Sequence, residues 1–170
     1  MQSRRSLALA VAGLLAIGGI AYLSTLASGT ITIEVWDAPF GWDRLTVVFS
    51  DIQVHRAGAE NESGWSSLPL STTEVDFMAL GNLTRILALD RAPAGKYTQI
   101  RIVVNSVTGV MNGTSVELIV PDHELKIITP FDLPGGGSIT VTLDFDLASS
   151  IHAAGDKWIF RPVLGEIVIH

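Results

Sequence analysis

The sequence predicts an all-β protein, an antiparallel β-sandwich of seven to nine strands preceded by one N-terminal hydrophobic helix. Three observations predict it. Beyond residue 28 the apolar residues recur with period two rather than 3.6. Turn residues such as Pro121-Asp122 and Pro134-Gly135-Gly136-Gly137 punctuate the chain at short intervals, with no helical segments alternating between strands. Before residue 28, Arg4-Arg5 precede an uncharged run from Ser6 to Ser28.

That run has two readings, and either delivers the remainder of the chain to the far side of a membrane. As a signal peptide it carries a basic start, an apolar middle and the small residues Thr25 and Ala27 placed for cleavage. As an anchor it runs from Leu7 through Leu14, Leu15 and Ile20 to Leu26, long enough to span hydrocarbon as a helix. Its length favours the anchor, because a signal core is usually only about 7–15 residues. Residues 1–28 are therefore assigned as leader or anchor and 29–170 as one extracellular domain. The expected location is the cell membrane with the domain outside, or secretion after cleavage.

All 17 acidic residues follow residue 28 while two of the 11 basic ones precede it, so the exported part carries about −8. That balance argues against a nucleic-acid partner. The chain has no cysteine, which excludes disulfides, thiol nucleophiles, zinc-thiolate sites and a lipidated cysteine. Asn61, Asn82 and Asn112 each open an Asn-x-Ser/Thr acceptor, suited to an extracellular surface.

The elements follow in order. Thr30 to Val35 alternates. Leu45 to Phe49 continues apolar and Ser50 to His55 alternates again, which places a bulge or bend near Phe49 to Asp51, where the strand changes its buried face. Trp65 to Leu68 and Glu74 to Leu80 are short extended segments. Leu83 to Leu89 is the one candidate for a short helix. Tyr97 to Val104 is a strand, with Tyr97 placed to bond back to the turn Pro93-Ala94-Gly95. Asn112-Gly113 is a strong hairpin signal leading into Ser115 to Val120. Glu124 to Ile128, Ile139 to Leu147 and Trp158 to His170 complete the set, the last as a closing strand.

Several segments taken together resemble an archaeal and bacterial family of exported domains of unknown function. They are Trp36-Asp37-Ala38-Pro39, Pro93-Ala94-Gly95-Lys96-Tyr97-Thr98-Gln99-Ile100-Arg101, Leu143-Asp144-Phe145-Asp146-Leu147 and Arg161-Pro162-Val163. The resemblance implies a membrane-anchored or secreted immunoglobulin-like or prealbumin-like sandwich without an established activity. Bacterial members often look like lipoproteins; this chain, lacking cysteine, would need its helix as anchor.

Asp144 and Asp146 form the best chemical pair, two carboxylates on one strand face about 6.6–7 Å apart at the backbone. They could hold a hard cation, calcium above all, if Asp37, Asp43 or Asp132 added oxygens. The competing reading has them paired with Arg101 or Lys126, or capping the turn before Ser149-Ser150. No other cofactor is expected. His55, His123, His152 and His170 have no metal-ligand spacing. No Gly-x-Ser-x-Gly occurs and nothing nominates a glycosidase pair, so the chain is expected not to be an enzyme. Trp36, Trp42, Trp65 and Trp158 could line a sugar surface or pack in the core.

The expected role is a non-enzymatic cell-surface domain that contacts the membrane through its N-terminal helix and binds envelope proteins, glycans or copies of itself. A second reading is a filament or sheath subunit assembled by exchange of the strand Gly29 to Val35. An extracellular polymer hydrolase ranks last.

Overall fold

The computed structural model describes residues 28–38, 41–59 and 61–170, and the anchor residues Leu7, Leu14, Leu15, Ile20 and Leu26 lie outside them. Period-two alternation becomes twelve strands: β1 Ser28–Trp36, β2 Arg44–Arg56, β3 Trp65–Leu68, β4 Glu74–Asp76, β5 Arg85–Pro93, β6 Gly95–Met111, β7 Thr114–Leu118, β8 Glu124–Leu133, β9 Ser138–Phe145, β10 Ile151–Ala154, β11 Lys157–Phe160 and β12 Leu164–Ile169. One helical turn, α1 Leu147–Ser150, follows β9. No helix among the described residues is long and apolar enough to cross a membrane.

Two large sheets and the two-stranded ribbon β10-β11 are built from these strands. The four-stranded sheet has the order β12-β9-β1-β5. In the six-stranded sheet the order is β3-β2-β6-β7, with β4 also on β2 and β8 also on β6. Alternate residues of β1, β2, β6 and β9 point into one shared core, among them Ile31, Val47, Ile100 and Leu143, all fully buried. Phe49 of the six-stranded sheet meets Phe145 of the other edge-on, their centroids 6.2 Å apart.

Several expectations are met by named contacts. The strand β2 slips in register against β6 between Val48 and Phe49 and again before Asp51, where the alternation changes phase. Asn112 and Gly113 adopt φ of 51° and 74° in the β6–β7 hairpin, the left-handed pair that a two-residue turn needs. Tyr97 donates its hydroxyl to the Pro93 carbonyl at 2.8 Å.

Other expectations are corrected. The sandwich is not wholly antiparallel, because β1 pairs β9 in parallel from Thr30↔Ser138 to Trp36↔Asp144. Leu83 to Leu89 is not a helix; Arg85–Pro93 is a strand whose ladder with β1 covers that edge, so tertiary pairing overrides local propensity. Trp158 to His170 is not one closing strand. Pro162 interrupts it, lacking an N–H for either ladder, and β11 pairs β10 while β12 pairs β9.

Candidate functional site

Among the described residues, polar side chains converge at three places: an acidic corner, an aromatic face and a cavity. The corner gathers the most distinctive segments of the sequence. Asp37 follows β1 and is 7% exposed. Its two oxygens accept from Ala38 N at 2.7 Å and Leu147 N at 3.2 Å. Asp146 accepts from Ser149 N at 2.9 Å and so caps α1. The buried Ser150 donates its hydroxyl to the Asp146 carbonyl at 2.6 Å and accepts from Val163 N at 2.8 Å. Asp144 lies against Gly165 of β12, where any Cβ would collide with its carboxylate.

Burial, followed by the nearby charges of Asp144 and Asp146, pushes the Asp37 pKa up to about 6, against the pull of its two backbone N–H donors. The Asp146 pKa is lowered by the Ser149 hydrogen bonds. The corner thus brings Asp37, Asp144 and Asp146 together, as the sequence suggested. Two of the three are committed to backbone donors, and no group of three metal-ligating side chains occurs among the described residues. Asp43 instead accepts from Gly113 N at 3.1 Å in the hairpin, and Asp132 stands opposite Lys96 on β6. Neither Arg101 nor Lys126 is the partner of the pair; both belong to the other sheet.

The outward side of the six-stranded sheet carries the second array, set by register across four strands. Trp65 of β3 lies opposite His55 of β2, and His55 opposite Gln99 of β6. The next row is Ser67, Gln53, Arg101 and Lys126. The Arg101 guanidinium lies 4.0 Å from the Trp65 ring centroid, with the His55 ring edge-on at 5.0 Å. Arg101 donates to Gln53 Oε1 at 3.2 Å and its Nε is 3.1 Å from Glu124 Oε1. Gln53 in turn donates to Asp51 at 2.7 Å.

This packing leaves the Arg101 side chain only 15% exposed. Charge, stacking and hydrogen bonds therefore fix a planar donor beside a tryptophan before any partner arrives. Ile128, at the end of the Trp65 row, is 77% exposed. The sequence nominated Trp65 only as one of four tryptophans. Trp42 and Trp158 pack edge-on at 5.2 Å, and Gly109 leaves the room that the Trp42 ring fills.

The third place is a cavity of about 430 Å³ beside β6, lined by Asn105, Ser106, Glu117, His123, Asp156 and Lys157 among others. Of the glycosylation candidates, Asn82 and Asn112 are exposed, and the side chain of Asn61 is not among those described.

Residues 28–162 match the model of a domain of unknown function, DUF4382. The chain belongs to that family. The match takes in Asp37, Asp144, Asp146 and Ser150 of the acidic corner and the whole Trp65–Arg101 face, and stops short of Val163, Gly165 and β12. No similar curated protein and no similar solved structure was found.

Proposed function

We propose that this DUF4382 chain is a non-enzymatic domain displayed outside the cytoplasm, with an immunoglobulin-like or prealbumin-like sandwich that binds envelope components, glycans in particular. The leader residues Leu7 to Leu26 hold it at the membrane, or release it after cleavage, and the exposed Asn82 and Asn112 accept glycans. The observation that carries the reading is the Trp65–Arg101 array. A tryptophan ring offers a flat apolar surface to the C–H face of a sugar, and Arg101, Gln53 and Asp51 around it are planar hydrogen-bonding groups held by one another, with His55 edge-on to the ring. Affinity electrophoresis through gels containing purified envelope polysaccharide tests it. Trp65→Ala should abolish retardation of a domain that still folds; equal retardation of both proteins would sink the proposal.

A second reading, assembly by strand exchange, has one specific support. The first strand after the leader, β1, occupies an interior position of its sheet between β9 and β5, with Ile31, Ile33 and Val35 fully buried. A neighbour's β1 would fill the same groove. This reading requires a mature N-terminus near Ser28 and heat-labile, detergent-resistant oligomers. A protein whose N-terminus is Met1 and which runs as a monomer contradicts it.

A further inference from the structure

Where β6 passes from its ladder with β8 to its ladder with β7, a notch opens in the sheet. Val104 N bonds to the His123 carbonyl at 2.8 Å and Val107 already pairs with Leu118, so Asn105 and Ser106 between them line the cavity of about 430 Å³. The connection from Ile119 to His123 forms one wall. Ile119 bridges to Ile159 of β11, and the β10–β11 turn brings Asp156 and Lys157 to the rim.

The chemistry of the lining is specific. His123 Nδ1 stands 2.8 Å from the Val104 carbonyl oxygen. A carbonyl only accepts, so Nδ1 carries a ring proton and donates it to Val104. Glu117 and Asp156 add carboxylate acceptors, Lys157 adds a donor, and Asn105 and Ser106 can do both. Val116, Ile119 and Val120 supply an aliphatic patch.

Two carboxylates against one ammonium disfavour a phosphate or carboxylate ligand. A nucleobase would want an aromatic neighbour, and among the described residues no aromatic ring except the His123 imidazole lines the cavity. Alternating donors and acceptors beside a short apolar patch suit a neutral ring whose hydroxyls both donate and accept, and the volume falls within the usual range of about 300–1,000 Å³ for small-ligand sites.

The geometry points to this cavity as a subsite for one neutral sugar unit. The inference rests on the glycan reading above and extends it. Asn105 lies four residues along β6 from Arg101, about 13 Å of strand, so one saccharide chain can place a unit in the cavity while a neighbouring stretch covers Trp65.

The test uses the full-length chain in a zwitterionic, non-glycosidic detergent. Saturation-transfer NMR is run with the methyl glycosides of glucose, galactose, mannose and N-acetylglucosamine. At least one should bind with a dissociation constant on the order of 1 mM, as expected for a shallow polar site. Glu117→Gln and Asp156→Asn should each weaken binding tenfold or more, and Lys157→Met serves in place of either should it fail to fold. In the Trp65→Ala background, which removes the other sugar-binding surface, the monosaccharide binding that remains is that of the cavity and should still be lost with Glu117→Gln or Asp156→Asn. Absence of binding for all four glycosides overturns the inference, as does wild-type affinity in the cavity variants. Polysaccharide retardation indifferent to Trp65→Ala would instead overturn the reading of the face and leave the cavity result standing.

Discussion

Asp37 makes the domain's stability depend on pH in the opposite sense to ordinary acid denaturation. Its carboxyl is pushed up from the usual 3.8 to about 6, first by burial and then by the charges of Asp144 and Asp146. The folded state therefore holds this proton more tightly than the unfolded chain does. Stability should rise as pH falls through 6 and level off near 3.8. The full difference is worth at most about 3 kcal/mol, and screening by solvent around the half-buried Asp144 and Asp146 brings the expected gain to about 1–2 kcal/mol.

For a domain of this size that corresponds to a rise in Tm of about 3–6 °C between pH 7.5 and pH 4.5. Below that window Asp146 works the other way. Its lowered pKa means that its capping bond contributes stability above the ordinary carboxylate range and loses it as pH falls further. Thermal melts of residues 28–170 followed by circular dichroism at pH 7.5, 6, 5, 4.5 and 3 should pass through a maximum near pH 4.5. Asp37→Asn should flatten the rise. The exposed control Asp156→Asn removes the same charge and should leave the rise in place. A Tm that falls steadily from pH 7.5 in the unmutated domain, or an equal slope in Asp37→Asn, would refute the reasoning.

Four further outcomes are expected. Tyr97→Phe, which deletes the bond to the Pro93 carbonyl, should cost about 1–2 kcal/mol in urea unfolding; an unchanged midpoint would show the corner is decorative. Gly109→Ala places a methyl in the Trp42 ring and should cost about 1–3 kcal/mol, with a change in near-ultraviolet dichroism; a wild-type spectrum and midpoint would contradict the packing. Asp146→Ala should lower the Tm through loss of its cap, equally with and without millimolar calcium; a calcium-dependent rise in Tm lost in that variant would restore the cation reading. Removing 164–170 takes β12 from the edge of β9 and should yield an aggregating protein; a stable monomer would make that strand peripheral.

Local chemistry was legible in the sequence, and long-range register was not. The Asn112-Gly113 hairpin, the bulge near Phe49 and the Tyr97 bond each depend on a few neighbouring residues whose preferences agree. The parallel pairing of β1 with β9 joins segments more than a hundred residues apart, and nothing local distinguishes it from an antiparallel partner. Arg85 to Leu89 contains good helix formers, so only the vacancy beside β1 makes it a strand. At the corner, the alternation of Leu143 to Leu147 correctly put Asp144 and Asp146 on one face. It did not say that Leu147 would turn back as a donor to Asp37 or that Asp146 would cap the turn. The Trp65–Arg101 stack was out of reach for the same reason, since it requires the registers of β3 on β2 and β2 on β6 at once.

The central claim, that the outward face of the six-stranded sheet is the binding surface, is tested most directly by NMR. Amide and side-chain shifts of the ¹⁵N-labelled domain are followed while fragments of envelope polysaccharide are added. Perturbations concentrated on Trp65, His55, Gln53, Arg101 and Lys126 are the predicted result. Perturbations confined to β5, β12 or the acidic corner, with the Trp65 indole unmoved at saturation, would contradict it.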